Sequence, residues 1–227
     1  MNAPSHVALR LTTLAFAALL GLQCVWLLLT EFYRPNLIRL PTDAQAAAAA
    51  RSQRSHATWV ARIAGIRGNL WAESAFTYAD LLWNSPSVDP DSAKSLEQAR
   101  ALLYRALDHA PHQAGAWLLL AGLASHYHWQ NLDSAEALKM SYYTGQSEEA
   151  LMPLRLRMAA RLDAISDTSL QILVRRDLRL LLAQQQKSAV KEAYEDASPG
   201  GRRFIEAAVG EIDPSSLGSL RASAQVP

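Results

Sequence analysis

Residues 11–30 (LTTLAFAALLGLQCVWLLLT) carry no formal charge, and this run constrains the chain more than any other feature. A helix of that length rises about 30 Å, the thickness of a bilayer's hydrocarbon core. No polar face interrupts Leu11 to Leu29, which argues against a buried helix of a water-soluble core. A cleaved secretory signal has an apolar core of roughly 7–15 residues closed by a small-x-small site. Here the core is longer, its distal flank Glu31-Phe32-Tyr33-Arg34-Pro35 offers no such site, and Ala44-Gln45-Ala46 lies too far downstream. A lipoprotein site fails too, because Gly21-Leu22-Gln23 precede Cys24 and apolar sequence follows it. The expected layout is an N-terminal tail (1–10), a transmembrane anchor (11–31), a juxtamembrane linker or stalk (32–55), a helical domain (56–212) and a flexible tail (213–227). Phe32 and Tyr33 suit an aromatic belt at the membrane interface.

Orientation is less constrained. Arg10 and the terminal amine stand on one side of the run, Arg34 and Arg39 on the other, so the rule that counts Lys and Arg is indecisive. A short tail before a single span is the usual layout of a signal anchor whose bulk is exported, and export to the periplasm is the expectation.

Beyond the run, roughly 190 residues suffice for one domain with its own core. A net charge of +1 speaks against a nucleic-acid binder. The one cysteine, Cys24, falls inside the apolar run, so the remainder has no thiolate for a disulfide, a metal site or thiol catalysis. Period-two patterning is scarce, and the fold class expected is all-α.

Thr42-x-x-Gln45 is a capping-box pattern, and the alanine run 46–50 favours helix. That segment is expected to continue to about Trp83, weakened by Gly65 and Gly68. Residues 84–91 (NSPSVDPD) read as a loop. Next, Leu96, Ala99, Leu103, Ala106, Leu107 and Ala110 recur at the spacing of one helical face, and Pro111 ends that helix. Trp117, Leu120, Ala121 and Ala124 mark the face of the following one. Small residues at Ala99, Ala106 and Ala121 would let these two helices nest, with Trp117 filling the gap in the core. Later helices are expected from Asp133 or Ser134 to Thr144-Gly145 (with Gly145 as a left-handed cap), from Ser147 through Leu162, from Asp167 or Thr168 through Leu181, and over 187–197 and 202–209.

Ala99, Ala106, Pro111 and Trp117, with Leu120 and Ala121, resemble the junction between two tetratricopeptide repeats: Ala, a second Ala seven later, Pro five after that, and the next repeat's Trp six further on. The resemblance covers about 40 residues and implies antiparallel helix pairs stacked as a short α-solenoid. Ala124 departs from it, standing where an aromatic is usual, and Pro86 and Pro90 fall inside the preceding repeat helix. A generic helical hairpin is the competing reading. More loosely, residues 140–156 (MSYYTGQSEEALMPLRL) with the later GRRFIE resemble a group of membrane-anchored bacterial repeat proteins, some associated with surface polysaccharide. That likeness implies an accessory role at the envelope's inner membrane, with no chemistry and no site residues.

Catalytic and cofactor motifs find little support. His109 and His112 have helical metal spacing but are separated by Pro111, and His126 and His128 diverge on a helix. Gly200-Gly201 before Arg202-Arg203 reads as a loop, and no Ser sits in a nucleophile elbow. No catalytic, cofactor or metal residue is assigned. The candidate binding residues are Arg155, Arg157, Arg161, Arg175, Arg176 and Arg179, answered in part by Asp163, Asp167 and Asp177. A solvated face is the plain reading of such a cluster; a groove for an acidic protein or an anionic polysaccharide is the functional one. The expected function is a non-catalytic, membrane-anchored protein-interaction adaptor, and the alternative is a protein handling an anionic glycan or lipid on the arginine-rich face.

Overall fold

The uncharged run falls within a single helix, α1 (Ala3–Phe32). The computed structural model describes residues 3–36, 39–83, 90–162, 165 and 167–223. At 1.5 Å per residue α1 is about 45 Å long. Within His6–Phe32 its most apolar eighteen residues have a mean hydropathy of 2.0 and none of them is buried by the rest of the chain, whereas Thr30 near the end is buried. It is the one described helix long and apolar enough to cross a membrane. Residues 3–10, expected as a tail, continue this helix.

Helices α2 (Ala44–Ser52), α3 (Arg54–Ala64) and α4 (Gly68–Phe76) follow, then a 3-10 turn (Ala79–Leu82), α5 (Pro90–His109), α6 (Ala114–His126) and α7 (Ser134–Thr144). A second 3-10 turn (Glu149–Leu151) leads into α8 (Met152–Arg161), α9 (Thr168–Ala183), α10 (Lys187–Glu195), α11 (Pro199–Ile212) and α12 (Pro214–Ser223). The described residues form helices and turns only, so the all-α expectation holds.

Several boundaries differ from expectation. The segment expected to run from residue 42 to 83 is broken at Gln53 and again at Gly65, whose φ of +60° turns the chain between α3 and α4. Asp43, rather than Thr42, caps α2 by accepting from the Ala46 amide at 2.7 Å. The stalk is in fact packed: Leu40, Ala47 and Ala50 are buried, and α2 lies on the Ala79–Leu82 turn. Pro90 and Asp91, placed in a loop, open α5, where proline's missing N–H costs nothing; residues 84–89 lie outside the described set. Most of the expected tail forms α12; the Ser215 and Ser216 hydroxyls donate to the Asp213 carboxylate at 2.5 Å, and Leu220 is buried.

The core of the first half is built around α6. Its sequence is apolar all round, and Ala114 to Ala124 are buried except for Trp117. Helix α6 packs most extensively on α7, and α5 on α4; the contact between α5 and α6 is smaller. The tight nesting expected of α5 against α6 therefore belongs to α4 against α5. A Cβ at Gly68 would lie 2.5 Å from the Ala110 Cβ and 2.8 Å from the Ala106 carbonyl, so the small residues of α5 receive α4. Ala99, Leu103, Ala106, Leu120 and Ala121 are all buried, whereas Pro111 is exposed. Trp117 is half-buried rather than central: its indole N–H donates to the Pro111 carbonyl at 2.7 Å, which holds the ring over the α5–α6 turn.

In the second half α8 is the central element, in contact with α9, α10 and α11. The α8–α11 approach is so close that a Cβ built on Gly201 would stand 2.0 Å from the Ala160 carbonyl oxygen, and the Ser198 amide donates to that same oxygen at 3.0 Å. The glycine pair expected as a loop is thus the first turn of α11, pressed onto the end of α8. Gly201→Ala should destabilise the protein by about 2–3 kcal/mol, because backbone rather than a flexible side chain must move. Gly210→Ala, in the same helix but with no atom within 4 Å of its Cβ position, should stabilise by about 0.5–1 kcal/mol. Denaturant melts of the two variants in detergent measure both signs.

Candidate functional site

The six arginines proposed as a binding face do not form one. Arg155 is fully buried. Its Nε donates to the Ser141 hydroxyl at 3.0 Å, Nη1 to the Gly145 carbonyl at 2.9 Å and Nη2 to the Ser141 carbonyl at 2.6 Å. Arg157 and Arg161 both pair with Asp196, and Arg157 also stacks over Trp83 at 4.3 Å. Arg175 pairs with Glu211 and lies over Phe204. Arg176 makes one long contact, 3.4 Å, to Gln146, and Arg179 is exposed. Three of the six therefore tie α8 and α9 to the C-terminal helices, and the burial of Arg155 removes it from the candidate binding residues. Asp163 lies outside the described residues. Asp167 caps α9 and pairs with Lys139 at 2.8 Å, which joins α7 to α9.

Arg155 explains Gly145. That residue follows α7 with φ of −131°, not the left-handed value expected. Its glycine identity comes from crowding: a Cβ there would lie 2.4 Å from the Ala114 Cβ and 2.7 Å from Arg155 Nη2. The guanidinium also lies 5.1 Å from the Tyr142 ring. Asp177 on α9 is the stronger of two carboxylates acting on it, the other being Glu148; Asp177 is buried, with Oδ2 left without a partner, as is the Tyr142 hydroxyl. Burial pushes the Asp177 carboxyl up to about 6, opposed by Arg155 and Arg176. Burial likewise pulls Arg155 down and drives the Tyr142 hydroxyl well up.

The segment that follows Gly145, Ser147 to Pro153, lines one side of an open cleft of about 930 Å³. The opposite wall is Arg39 to Ala46, the stretch leading into α2. Phe76 of α4, Gln113 and Gly115 at the start of α6, and Gln186 complete the lining. Leu40, Phe76 and Leu151 supply buried apolar surface, while Ser147, Glu148 and Glu149 form an exposed, acidic rim opposed by Arg39. None of these residues was selected from sequence. Their separation, from 39 to 186, hides them from any local pattern.

A second cleft, of about 660 Å³, lies between α3 and α5 and was also missed. It carries Arg54, Arg62 and Arg105 with Trp59, Trp71 and Tyr78. Arg54 stacks 3.8 Å over Tyr78 and pairs with Asp80 at 2.8 Å, and Arg105 lies 4.9 Å over Trp71. Among the described residues no three His, Cys, Asp or Glu side chains are grouped to hold a metal ion. His109, His112 and His128 are exposed, and His126 packs edge-on against Tyr127.

No protein-family model matches the sequence, and no curated protein or solved structure is significantly similar to it.

The Asp177 shift has a definite sign. A carboxyl raised from 3.8 to about 6 holds its proton more tightly in the folded state, so stability falls as pH rises between those values and levels off above. Glu73, also raised by burial, adds to the same limb; Asp167, lowered by Lys139, acts only at lower pH. The Asp177 contribution is about 2–3 kcal/mol. Melts of the wild type between pH 4 and 8 should show this decline, and Asp177→Asn should remove most of it.

Proposed function

We propose that this chain is a non-catalytic adaptor held in a bacterial inner membrane by α1, with its helical domain in the periplasm, where it receives a segment of a protein partner in the cleft between Arg39–Ala46 and Ser147–Pro153. One observation carries this reading: the cleft combines buried apolar side chains, exposed polar ones and a volume of about 930 Å³, and its Ser147–Pro153 side begins two residues after the Gly145 carbonyl that buried Arg155 holds. Binding sites for small ligands and peptide segments are concave, mostly apolar and fixed by a few placed polar groups. The α4–α5 and α6–α7 pairs support a tetratricopeptide-like reading of the first half, since stacked pairs of this kind create concave binding surfaces. Association with a surface-polysaccharide assembly or export machine is part of the same proposal and rests on the sequence resemblance alone.

A photo-crosslinker at Ala150, on the exposed cleft wall, should trap one discrete envelope protein, whereas the same group at Ile172, exposed on α9, should not. Glu148→Lys combined with Glu149→Lys should abolish the crosslink without shifting the melting temperature. Equal trapping at both positions would remove the cleft from the proposal.

Periplasmic orientation has its own check. An enzyme reporter active only after export, fused behind residue 227, should be active. An inactive fusion would place the domain in the cytoplasm.

A second reading, a site for an anionic glycan, now belongs to Arg54, Arg62 and Arg105 with Trp59 and Trp71. Arginine forks beside indole faces suit acidic sugars.

A further inference from the structure

Helix α3 runs back alongside α1 rather than away from it. The Trp26 indole N–H donates to the Ile63 carbonyl at 3.0 Å, and the Tyr33 ring meets Trp59 edge-on at 5.8 Å. Trp59 therefore lies beside the end of α1, and Ile63 beside a position seven residues earlier. Below it, Ile66 shares a recess with Gln23, Trp26, Leu27 and Leu28. A hydrocarbon core of about 30 Å takes up roughly twenty helical residues, which places its edge near Thr30 when counted from Leu11. Trp26 is then about 6 Å inside that edge, and the α3–α4 corner is at the same depth.

The corner's surface suits that position. Trp59 is 49 % exposed, Ile63 44 % and Ile66 74 %, and all three adjoin the exposed apolar face of α1. Three of its carbonyls are satisfied within the chain, as suits a low-dielectric setting: those of Ile63, Ala64 and Gly65 accept from Trp26 Nε1, the Arg67 amide and Trp71 Nε1. Arg67, the cation nearest the tip, is matched by Glu31 at 2.9 Å and the Thr30 hydroxyl at 2.8 Å. Arg62, exposed and adjoining Ile63, lies just inside the hydrocarbon edge, from where its long side chain reaches the headgroups.

We propose that the α3–α4 corner, with Trp59, Ile63 and Ile66, is embedded in the interfacial layer of the bilayer that α1 crosses, so that the domain rests on the membrane at two points. The occupant of this apolar patch is lipid, because the patch continues the lipid-facing surface of α1 at the same depth. Elements seated in an interface sink about 5–10 Å into the headgroup and acyl boundary, which matches the depth set by Trp26. The inference rests on α1 being a membrane span.

The test uses the full chain carrying Cys24→Ser, with one new cysteine labelled by an environment-sensitive fluorophore, in nanodiscs of phosphatidylethanolamine and phosphatidylglycerol. Ile66→Cys probes the corner, Leu19→Cys the span and Ala207→Cys the exposed surface of α11. All three side chains are exposed within the chain, so the substitutions leave the core intact. At position 66 iodide quenching should be several-fold weaker than at 207, and lipids with a nitroxide near the headgroup should quench strongly. If 66 is quenched by iodide as readily as 207 while 19 is protected, the span stands and the corner proposal fails. If 19 is also open to iodide, the membrane reading itself fails. Protection of 66 from both quenchers would mean that a second copy of the chain covers the patch, which also overturns the proposal.

Discussion

The clasp between the end of α1 and the α3–α4 corner determines how everything else in this protein is presented. Arg34, just past the helix, lies with Nε 3.0 Å from both oxygens of Glu73, and its Nη1 is 2.7 Å from Glu31. Glu73 is 3 % exposed. Removing water from that carboxyl raises its pKa, and Arg34 opposes the rise, so the pair holds only with both members in place. Arg67 adds a second link to Glu31, and Trp26 a third to the Ile63 carbonyl. A helix joined to a domain by a free linker would leave the domain's orientation open. Three polar contacts and an aromatic pair fix it.

A second buried group does comparable work at the far side. Arg155 crosses from α8 to the end of α7 and binds two carbonyls there, while Lys139 joins α7 to the cap of α9. These contacts couple the half built around α6 to the half built around α8. The arginines on the same two helices act alike: Arg155 reaches the end of α7, Arg157 and Arg161 both reach Asp196 after α10, and Arg175 reaches α11. A run of like charges in a helical sequence marks either a solvated face or a set of cross-links, and composition alone does not separate the two.

What was legible in the sequence follows the same division. The apolar run, the all-α class and most helices from Ser134 onward depend on local patterns: an uncharged stretch, 3.6-residue periodicity, an Asp or Ser before a helix. Asp133 and Asp167 cap their helices through contacts two or three residues away. The pairing of α5 with α4 was not legible, because Gly68 looks like a helix breaker until Ala106 and Ala110 are seen beside it. Nor was the burial of Arg155, whose acceptors are backbone carbonyls that every residue carries. Trp117 was misplaced for a related reason: its ring is anchored by one indole hydrogen bond at a turn, a role periodicity does not distinguish from a core position. The large cleft draws on residues from 39 to 186 and has no signature in any window.

The clasp and the cleft bear on one another through chain length. Arg39, at the cleft's near wall, is seven residues beyond Phe32, the last residue of α1. Even a fully extended chain of that length spans only about 25 Å. Under the proposal that α1 crosses a membrane, the cleft opens close above the bilayer, at a height set by the clasp rather than by a swinging stalk. A partner element that enters it must itself lie near the membrane, on a short juxtamembrane segment or on a domain that also touches lipid. Under the adaptor proposal this geometry selects among partners before any side chain in the cleft does. A soluble ligand could approach from any direction, whereas a membrane-bound one arrives already confined to the layer in which the cleft is held.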